Sequence, residues 1–250
     1  MSEIDRERWQ EAKDKIIGTN RLRQQIGTLS EKTVHAVVKN YYEPDEDHQE
    51  IPIEGKVADI YTSDEKIIEI QSRSFNVLKP KLDVFLPKYD VTLVHPVPDR
   101  KQIIWIDPDT GELCKPSPAR RTGSIYKAFV ELYSIRDYLD NPNLHIRLLQ
   151  MDMIEYKLLS GRSKDRKKYG AVRYDRIPTD LVAEIVLDTP EDYRRFIPEE
   201  LPEEFTSKDF QKIIKASDRA TGCLIGILRN KGLIEKIGTK NRAYLYKRCF

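Results

Sequence analysis

The sequence predicts an α/β protein: one layered body in which strands and helices alternate, followed by a small, strongly basic C-terminal piece. Three observations predict it. Segments with strand periodicity are interleaved with helical ones rather than segregated from them, the pattern of a sheet covered by helices. The 250 residues are 39% hydrophobic and 34% charged, which supplies enough apolar side chains for a core. The charge is also uneven. Residues 205–250 hold 11 Lys/Arg against 3 Asp/Glu, a net +8, whereas the whole chain is +2 and residues 1–204 therefore total −6.

Taken in order, residues 3–17 read as a helix stopped by Gly18-Thr19-Asn20. A second helix is predicted over 29–42, because Val34, Val37, Val38 and Tyr41 recur at the spacing of one buried face. Three short strands follow, Gln49–Ile53, Lys56–Tyr61 and Lys66–Gln71, joined by Glu54-Gly55 and by residues 62–65 into a meander. After Ser74, one helical side is formed by Phe75, Leu78, Leu82 and Phe85, and Pro80 demands a kink or a later start. Val91–His95 and Ile103–Ile106 read as two buried strands, with a tight turn over Asp107–Glu112. Tyr126–Tyr138 reads as a helix, Leu144–Leu159 as one long strand or a hairpin, and Leu181–Leu187 as a last strand. Residues 197–205, with two prolines and four glutamates, make poor secondary structure, so the sequence divides into a domain over 1–198 and a linker with a second domain over 199–250.

Several classes of protein are excluded at this stage. Cys114, Cys223 and Cys249 are far apart and odd in number, which fits neither a zinc site nor a disulfide framework. His35, His48, His95 and His145 are equally scattered. The N-terminus is charged where a signal peptide would be apolar, and no run approaches the roughly 20 apolar residues of a membrane span. The expectation is a soluble, cytoplasmic protein with no membrane partner.

The chemistry-bearing stretch runs from Gly55 to Ser74. Asp59 interrupts an apolar strand. On the next strand Ile68 and Ile70 share one face, which puts Glu69 and Gln71 on the other, with Arg73 continuing that polar row. Asp59 and Glu69 are ten residues apart across a short turn, so adjacent strands can bring their carboxylates together. Two close carboxylates repel unless a cation neutralises them, and hard oxygen ligands suit Mg²⁺. The plainer reading is a solvated strand face. Glu31 stands at the shoulder of the second helix, with His35 one turn further along; residues 28–31 also match a capping box, in which Glu31 serves only a backbone N–H. For His35 a solvated helix face is the simpler reading.

This arrangement resembles the PD-(D/E)xK nuclease superfamily, the fold of restriction endonucleases and Holliday-junction resolvases. Its pattern is an acid on an early helix, an Asp on a strand after a turn, and Glu-x-Lys on the next strand. The resemblance covers roughly residues 28–95. It implies a restriction endonuclease-like mixed β-sheet flanked by helices, hydrolysis of DNA phosphodiesters with Mg²⁺ (or Mn²⁺), and a homodimer. Carried over, Glu31 is the helix acid, Asp59 and Glu69 are the metal ligands, and Gln71 holds the lysine's place. Ala58 stands where the proline would be. Glutamine offers hydrogen bonds but no charge beside the scissile phosphate. Some restriction enzymes of this fold look similar at that position. Arg73 or Lys79 would be the nearest substitute cations, and loss of the lysine is also what a binding-only relative would show.

The basic piece has its own pattern. Thr206 or Ser207 caps a short helix, Asp218–Asn230 forms a second with Ala220, Leu224, Ile227 and Leu228 on its apolar face, and Gly232 stops it. Leu233–Ile237 and Ala243–Tyr246 then read as two strands joined by residues 238–242. Helix, turn, helix and ribbon resemble a winged helix-turn-helix. That resemblance implies a second helix presenting Ser217, Arg219 and Thr221 to the major groove, and a wing presenting Lys236, Lys240 and Arg242 to phosphate. A winged helix used for protein contacts is the alternative. Lys115–Arg121 and Arg162–Arg176 either extend a DNA track or are solvated loops.

Three functions therefore stand open: a metal-dependent deoxyribonuclease delivered to DNA by its C-terminal module; a DNA-binding or transcription-regulatory protein whose nuclease-like body has lost catalysis; and a regulator whose body senses a small ligand.

Overall fold

A computed structural model describes residues 4–17, 33–107, 109–121, 125–158 and 172–250, with the backbone alone at 172 and 173. At its centre is a large mixed sheet in the order β1-β2-β3-β4-β6-β7, with the two-residue β5 (Arg120–Arg121) pairing β4. β1 (Gln49–Ile53), β2 (Lys56–Tyr61) and β3 (Ile67–Ile70) form the antiparallel meander. β4 (Val91–Ile106) runs parallel to β3, β6 (Leu144–Leu158) parallel to β4, and β7 (Val172–Val186) returns antiparallel to β6. The α/β expectation therefore holds as a mixed sheet flanked by helices.

Local chemistry explains the meander. Glu54 and Gly55 both take positive φ, 50° and 74°, and make the two-residue turn whose twist suits a hairpin. The next turn is tied by Thr62, whose hydroxyl accepts the Lys66 N–H and donates to Asp64. Beyond it, Pro80 sits in the first turn of α3 (Lys79–Phe85), where its missing N–H costs nothing; a single 3₁₀ turn, Phe75–Leu78, precedes it.

β4 departs from the expectation of two separate strands. It runs unbroken for 16 residues through Pro96 and Pro98. Val94 turns its carbonyl toward β3, where the Gln71 N–H donates to it. Pro96 and Pro98 stand in the same alternate row, on the side where the pairing with β3 has stopped at Ile70. Their missing donors are therefore not needed, while the other side keeps its pairing with β6. β7 likewise extends well upstream of the predicted Leu181.

Each face of the sheet buries its own core. On one, Trp9 and Ala12 of α1 (Arg6–Ile17) and Val34, Val37, Val38 and Tyr41 of α2 (Thr33–Tyr42) pack on Ile60, Ile70, Val94, Leu149 and Met151. On the other, Leu82 and Phe85 of α3 and Phe129 and Leu132 of α4 (Ile125–Ser134) pack on Ile67, Leu93, Ile146 and Leu148. A short helix, α5 (Pro190–Arg194), follows β7. Among the described residues no helix is long and apolar enough to cross a membrane.

The C-terminal piece has a sheet of its own, in the order β8-β10-β9, formed by β8 (Glu204–Thr206), β9 (Ile234–Lys240) and β10 (Ala243–Arg248). Two helices, α6 (Ser207–Ile214) and α7 (Asp218–Asn230), lie between β8 and β9. Of the two predicted caps, Thr206 or Ser207, Thr206 is the one that caps α6, in a capping box with Asp209. Phe205, Phe210, Leu224 and Leu228 are buried in the same continuous cluster as Phe129, Leu132 and Tyr193. Lys231 donates to the Leu139 carbonyl at 2.5 Å and to Asp140 at 2.7 Å. At Gly226 a Cβ would lie 2.6 Å from the Tyr133 ring, so α4 and α7 approach closely there.

Because the apolar cluster is continuous, Leu224→Ala should cost about 2–5 kcal/mol and lower one cooperative thermal transition of the whole chain. Calorimetry checks this. A second, separate transition that alone responds would show that residues 205–250 unfold independently.

Candidate active site at the fork between two strands

The β2–β3 ladder pairs Tyr61 with Ile67 and Ile60 with Ile68, so the next step brings Asp59 opposite Glu69. There the backbones part. Asp59 inserts its carboxylate in place of a ladder acceptor, and its Oδ2 takes the N–H of Ile70 at 2.8 Å. That bond fixes the carboxylate in the fork. Helices on both faces of the sheet reach it. From α2, His35 Nε2 is 3.2 Å from Asp59 Oδ2. From α3, Lys81 Nζ is 3.8 Å from Asp59 Oδ1 and donates to both oxygens of Glu69, at 2.9 and 2.7 Å. Asp59 and Glu69 thus converge on a single ammonium.

The two carboxylates divide electrostatically. Burial raises the Asp59 carboxyl, but the hydrogen bond and charge of His35, the Ile70 N–H and Lys81 outweigh it and hold Asp59 below the ordinary range. Glu69 is only 1% exposed. Burial, and then the Asp59 charge, push it up to about 7, with Lys81 offsetting part of the effect. One lysine therefore does not fully neutralise the pair.

Several predicted residues fall elsewhere. The amide of Gln71 turns back to donate to the Arg73 carbonyl at 2.6 Å, and the Gln71 carbonyl accepts from His95 Nδ1 at 2.7 Å. A carbonyl only accepts, so Nδ1 carries the proton; burial lowers His95 below the ordinary histidine value and keeps the ring neutral. Arg73 is exposed after β3, and its carbonyl accepts from the Gln71 amide. Among the described residues, neither Arg73 nor Lys79 makes an ion pair with Asp59 or Glu69; the cation is Lys81. Glu31 lies outside the described residues. His35 is not a solvated helix residue but a partner of Asp59.

Sequence reasoning named Arg73 and Lys79 because they are nearest to Gln71 in the chain, and so missed Lys81. A helical signal was available: Leu78, Leu82 and Phe85 anchor α3 on the sheet, and Lys81 flanks that stripe. A second buried acid was also missed. Glu155 on β6 is ringed by Lys101 at 3.1 Å, Lys157 at 3.5 Å and Arg176 at 3.2 Å. Of the predicted basic segment Arg162–Arg176, residues 162–171 lie outside the described residues, and Arg176 belongs to this cluster.

In the C-terminal piece Ser217 is exposed as the N-cap of α7, and Arg219 is exposed on its first turn. Thr221 corrects the sequence reading. It is 3% exposed, with its hydroxyl buried and without a hydrogen-bond partner among the described residues, so it faces the core rather than a groove. The exposed positions of α7 are Asp218, Arg219, Gly222, Arg229 and Asn230. Lys236, Lys240 and Arg242 are exposed on the ribbon, whose turn is only two residues, Asn241 and Arg242, both at positive φ.

These features define a mixed α/β protein with a carboxylate–lysine cluster at a strand fork. The chain belongs to the family described as Domain of unknown function (DUF8091), which it matches over residues 32–188. His35, Asp59, Glu69 and Lys81 all lie inside that span, and the basic C-terminal piece lies beyond it. A protein of Treponema pallidum (strain Nichols), described as uncharacterized, is 30% identical over 145 residues, a stretch that spans 57% of each chain. No solved structure matches.

The raised Glu69 carboxyl has a consequence for stability. The folded state favours its protonated form, so this stabilisation is present in acid and is lost as pH rises from the ordinary carboxylate range through about 7. Glu69→Gln removes the titration. Its melting temperature, in EDTA and relative to the unaltered protein, should rise between pH 5 and pH 8 by the equivalent of on the order of 2 kcal/mol. A difference that does not change with pH would contradict the assignment.

Proposed function

We propose that the protein is a metal-dependent deoxyribonuclease of the PD-(D/E)xK type, with the restriction endonuclease-like fold, in which Lys81 of α3 replaces the strand lysine. The observation that carries this reading is the convergence of Asp59 and Glu69, from adjacent strands, on one cation. Among the described residues no three His, Cys, Asp or Glu side chains form a metal cage. Mg²⁺ does not require one, since it keeps several waters and commonly takes one or two carboxylates plus substrate phosphate. The donor set fits: two hard, buried carboxylates whose mutual repulsion Lys81 leaves partly uncompensated.

Asp59 and Glu69 would hold Mg²⁺ or Mn²⁺, which when bound supplies positive charge at the phosphate and a more acidic attacking water. The chain's own groups do the rest. His35 and the Ile70 N–H hold the Asp59 carboxylate in orientation and keep it ionised. Lys81, freed from the carboxylates it now neutralises, swings its ammonium toward the charge that builds on the scissile phosphate. His95 clamps the Gln71 carbonyl and so fixes the chain leaving β3. Gln71 has no role in orienting water here, because its amide is committed to Arg73.

The C-terminal piece supports the DNA half of the reading as a winged helix. It has two helices, a three-stranded sheet whose ribbon bears Lys236, Lys240 and Arg242, and a net charge of +8. A catalytically inactive DNA-binding relative is the second reading. The closed Lys81–Glu69 pair favours it, because that pair must open for catalysis.

Purified protein incubated with supercoiled, linear and branched DNA in Mg²⁺ or Mn²⁺ should cleave at least one form. Asp59→Ala with Glu69→Ala should abolish cleavage, and Lys81→Gln should slow it by about 100-fold or more. Cleavage surviving in the double variant would reject the site; binding without cleavage by the unaltered protein would favour the second reading. For the C-terminal module, truncation is unsuitable because it strips the shared core. Lys240→Gln with Arg242→Gln should instead weaken DNA binding and flatten the slope of log affinity against log salt by about 2. An unchanged slope would remove the wing from the interface.

A further inference from the structure

The β9–β10 ribbon ends an aromatic row that starts in the core. Phe210 packs on Phe205 at 5.6 Å between ring centroids, Phe205 stacks on Tyr246 at 5.9 Å, and Tyr246 meets Tyr244 edge-on at 6.5 Å. The first three rings are buried, whereas Tyr244 is 53% exposed. The row anchors Tyr244 at the surface, so its ring loses little further freedom on meeting a ligand. Lys236 holds its ammonium 3.6 Å from the Tyr244 centroid. Beside it, Ile237 is left out of the ladder where the pairing shifts from Leu245–Gly238 to Tyr246–Lys236, and is itself exposed. Residues 234–248 carry five Lys/Arg and one acid, Glu235.

We propose that Tyr244 is a base-stacking platform, and that the ribbon binds nucleic acid where bases are unpaired: a fork, a gap or a single-stranded end. This rests on the DNA-binding reading above and adds the substrate class. Within a duplex every base face is already stacked on its neighbour, so a tyrosine ring finds no partner there. An unstacked base offers a free π-face, and its flanking phosphates meet cations. The ribbon pairs the two requirements. Lys236 exchanges its weak contact with the ring for a phosphate, Lys240 and Arg242 follow the backbone at the turn, and the released face of Tyr244 takes the base. Charge complementarity favours this occupant over a second copy of the chain, whose own ribbon is equally basic.

The test uses the full chain in EDTA, with fluorescence anisotropy on three DNAs of equal length: a blunt duplex, the same duplex with an unpaired fork, and the single strand. 2-Aminopurine at the first unpaired position of the fork reports stacking by quenching. The unaltered protein should prefer the fork and quench the probe. Tyr244→Phe should preserve both properties. Tyr244→Ala should lower fork affinity by about 5- to 100-fold, abolish the quench and leave duplex affinity unchanged. Equal effects of Tyr244→Ala on fork and duplex, or none on either, would overturn the inference while leaving DNA binding intact. Failure of the unaltered protein to bind any of the three would remove the DNA reading itself. An oligomer that Tyr244→Ala dissociates in sedimentation would assign the ring to a second copy instead.

Discussion

The site depends on one substitution of partners in a β-ladder. At the step where β2 and β3 would continue to pair, the Asp59 carboxylate takes the Ile70 N–H, and the two strands diverge around it. An ionised acceptor makes a stronger bond to a backbone N–H than a neutral carbonyl, which helps a charged group persist at a largely buried position. Once Asp59 is fixed there, Glu69 stands across from it and Lys81 must lie close to both. The charge that cannot be dispersed into solvent is carried by helix residues from opposite faces of the sheet, so the fork also ties the two cores together.

That arrangement holds its energy unevenly. Asp59 is satisfied by a histidine, a backbone donor and part of a lysine, whereas Glu69 has the lysine and the Asp59 backbone N–H and is the more deeply buried. Buried ion pairs of this kind contribute little net stability, because desolvation consumes most of the Coulombic gain. The second buried acid, Glu155, contrasts with Glu69: three cations surround one carboxylate.

Much of this was legible in the sequence wherever a local rule decided the outcome. The meander from Gln49 to Ile70 follows from alternation and from Glu54-Gly55, and the Asp59–Glu69 pairing follows from the length of the turn between them. Thr206 and Gly232 mark the ends of their helices for equally local reasons. What was not legible depends on the neighbour. β4 passes through Pro96 and Pro98 because β3 ends beside them, which no window of sequence contains. Lys81 reaches Glu69 because α3 crosses that face of the sheet, and Thr221 turns inward because α7 is buried on most of its circumference. Composition separated the C-terminal piece by charge, but it could not show that Phe205 and Leu224 join the same apolar cluster as Phe129. A basic surface and a shared core are compatible, since one concerns the outside of the module and the other its seat.

The convergence of two carboxylates on a cation position is tested most directly by Mn²⁺ titration followed by electron paramagnetic resonance, at a pH above 7 where Glu69 is ionised. The unaltered chain should take up one Mn²⁺ per molecule, Lys81→Gln should bind it more tightly by relieving competition, and Asp59→Asn with Glu69→Gln should not bind it at all. Equal uptake by the unaltered protein and the double variant, or no uptake by either the unaltered protein or Lys81→Gln, would show that the strand fork is a closed salt bridge and not a metal site.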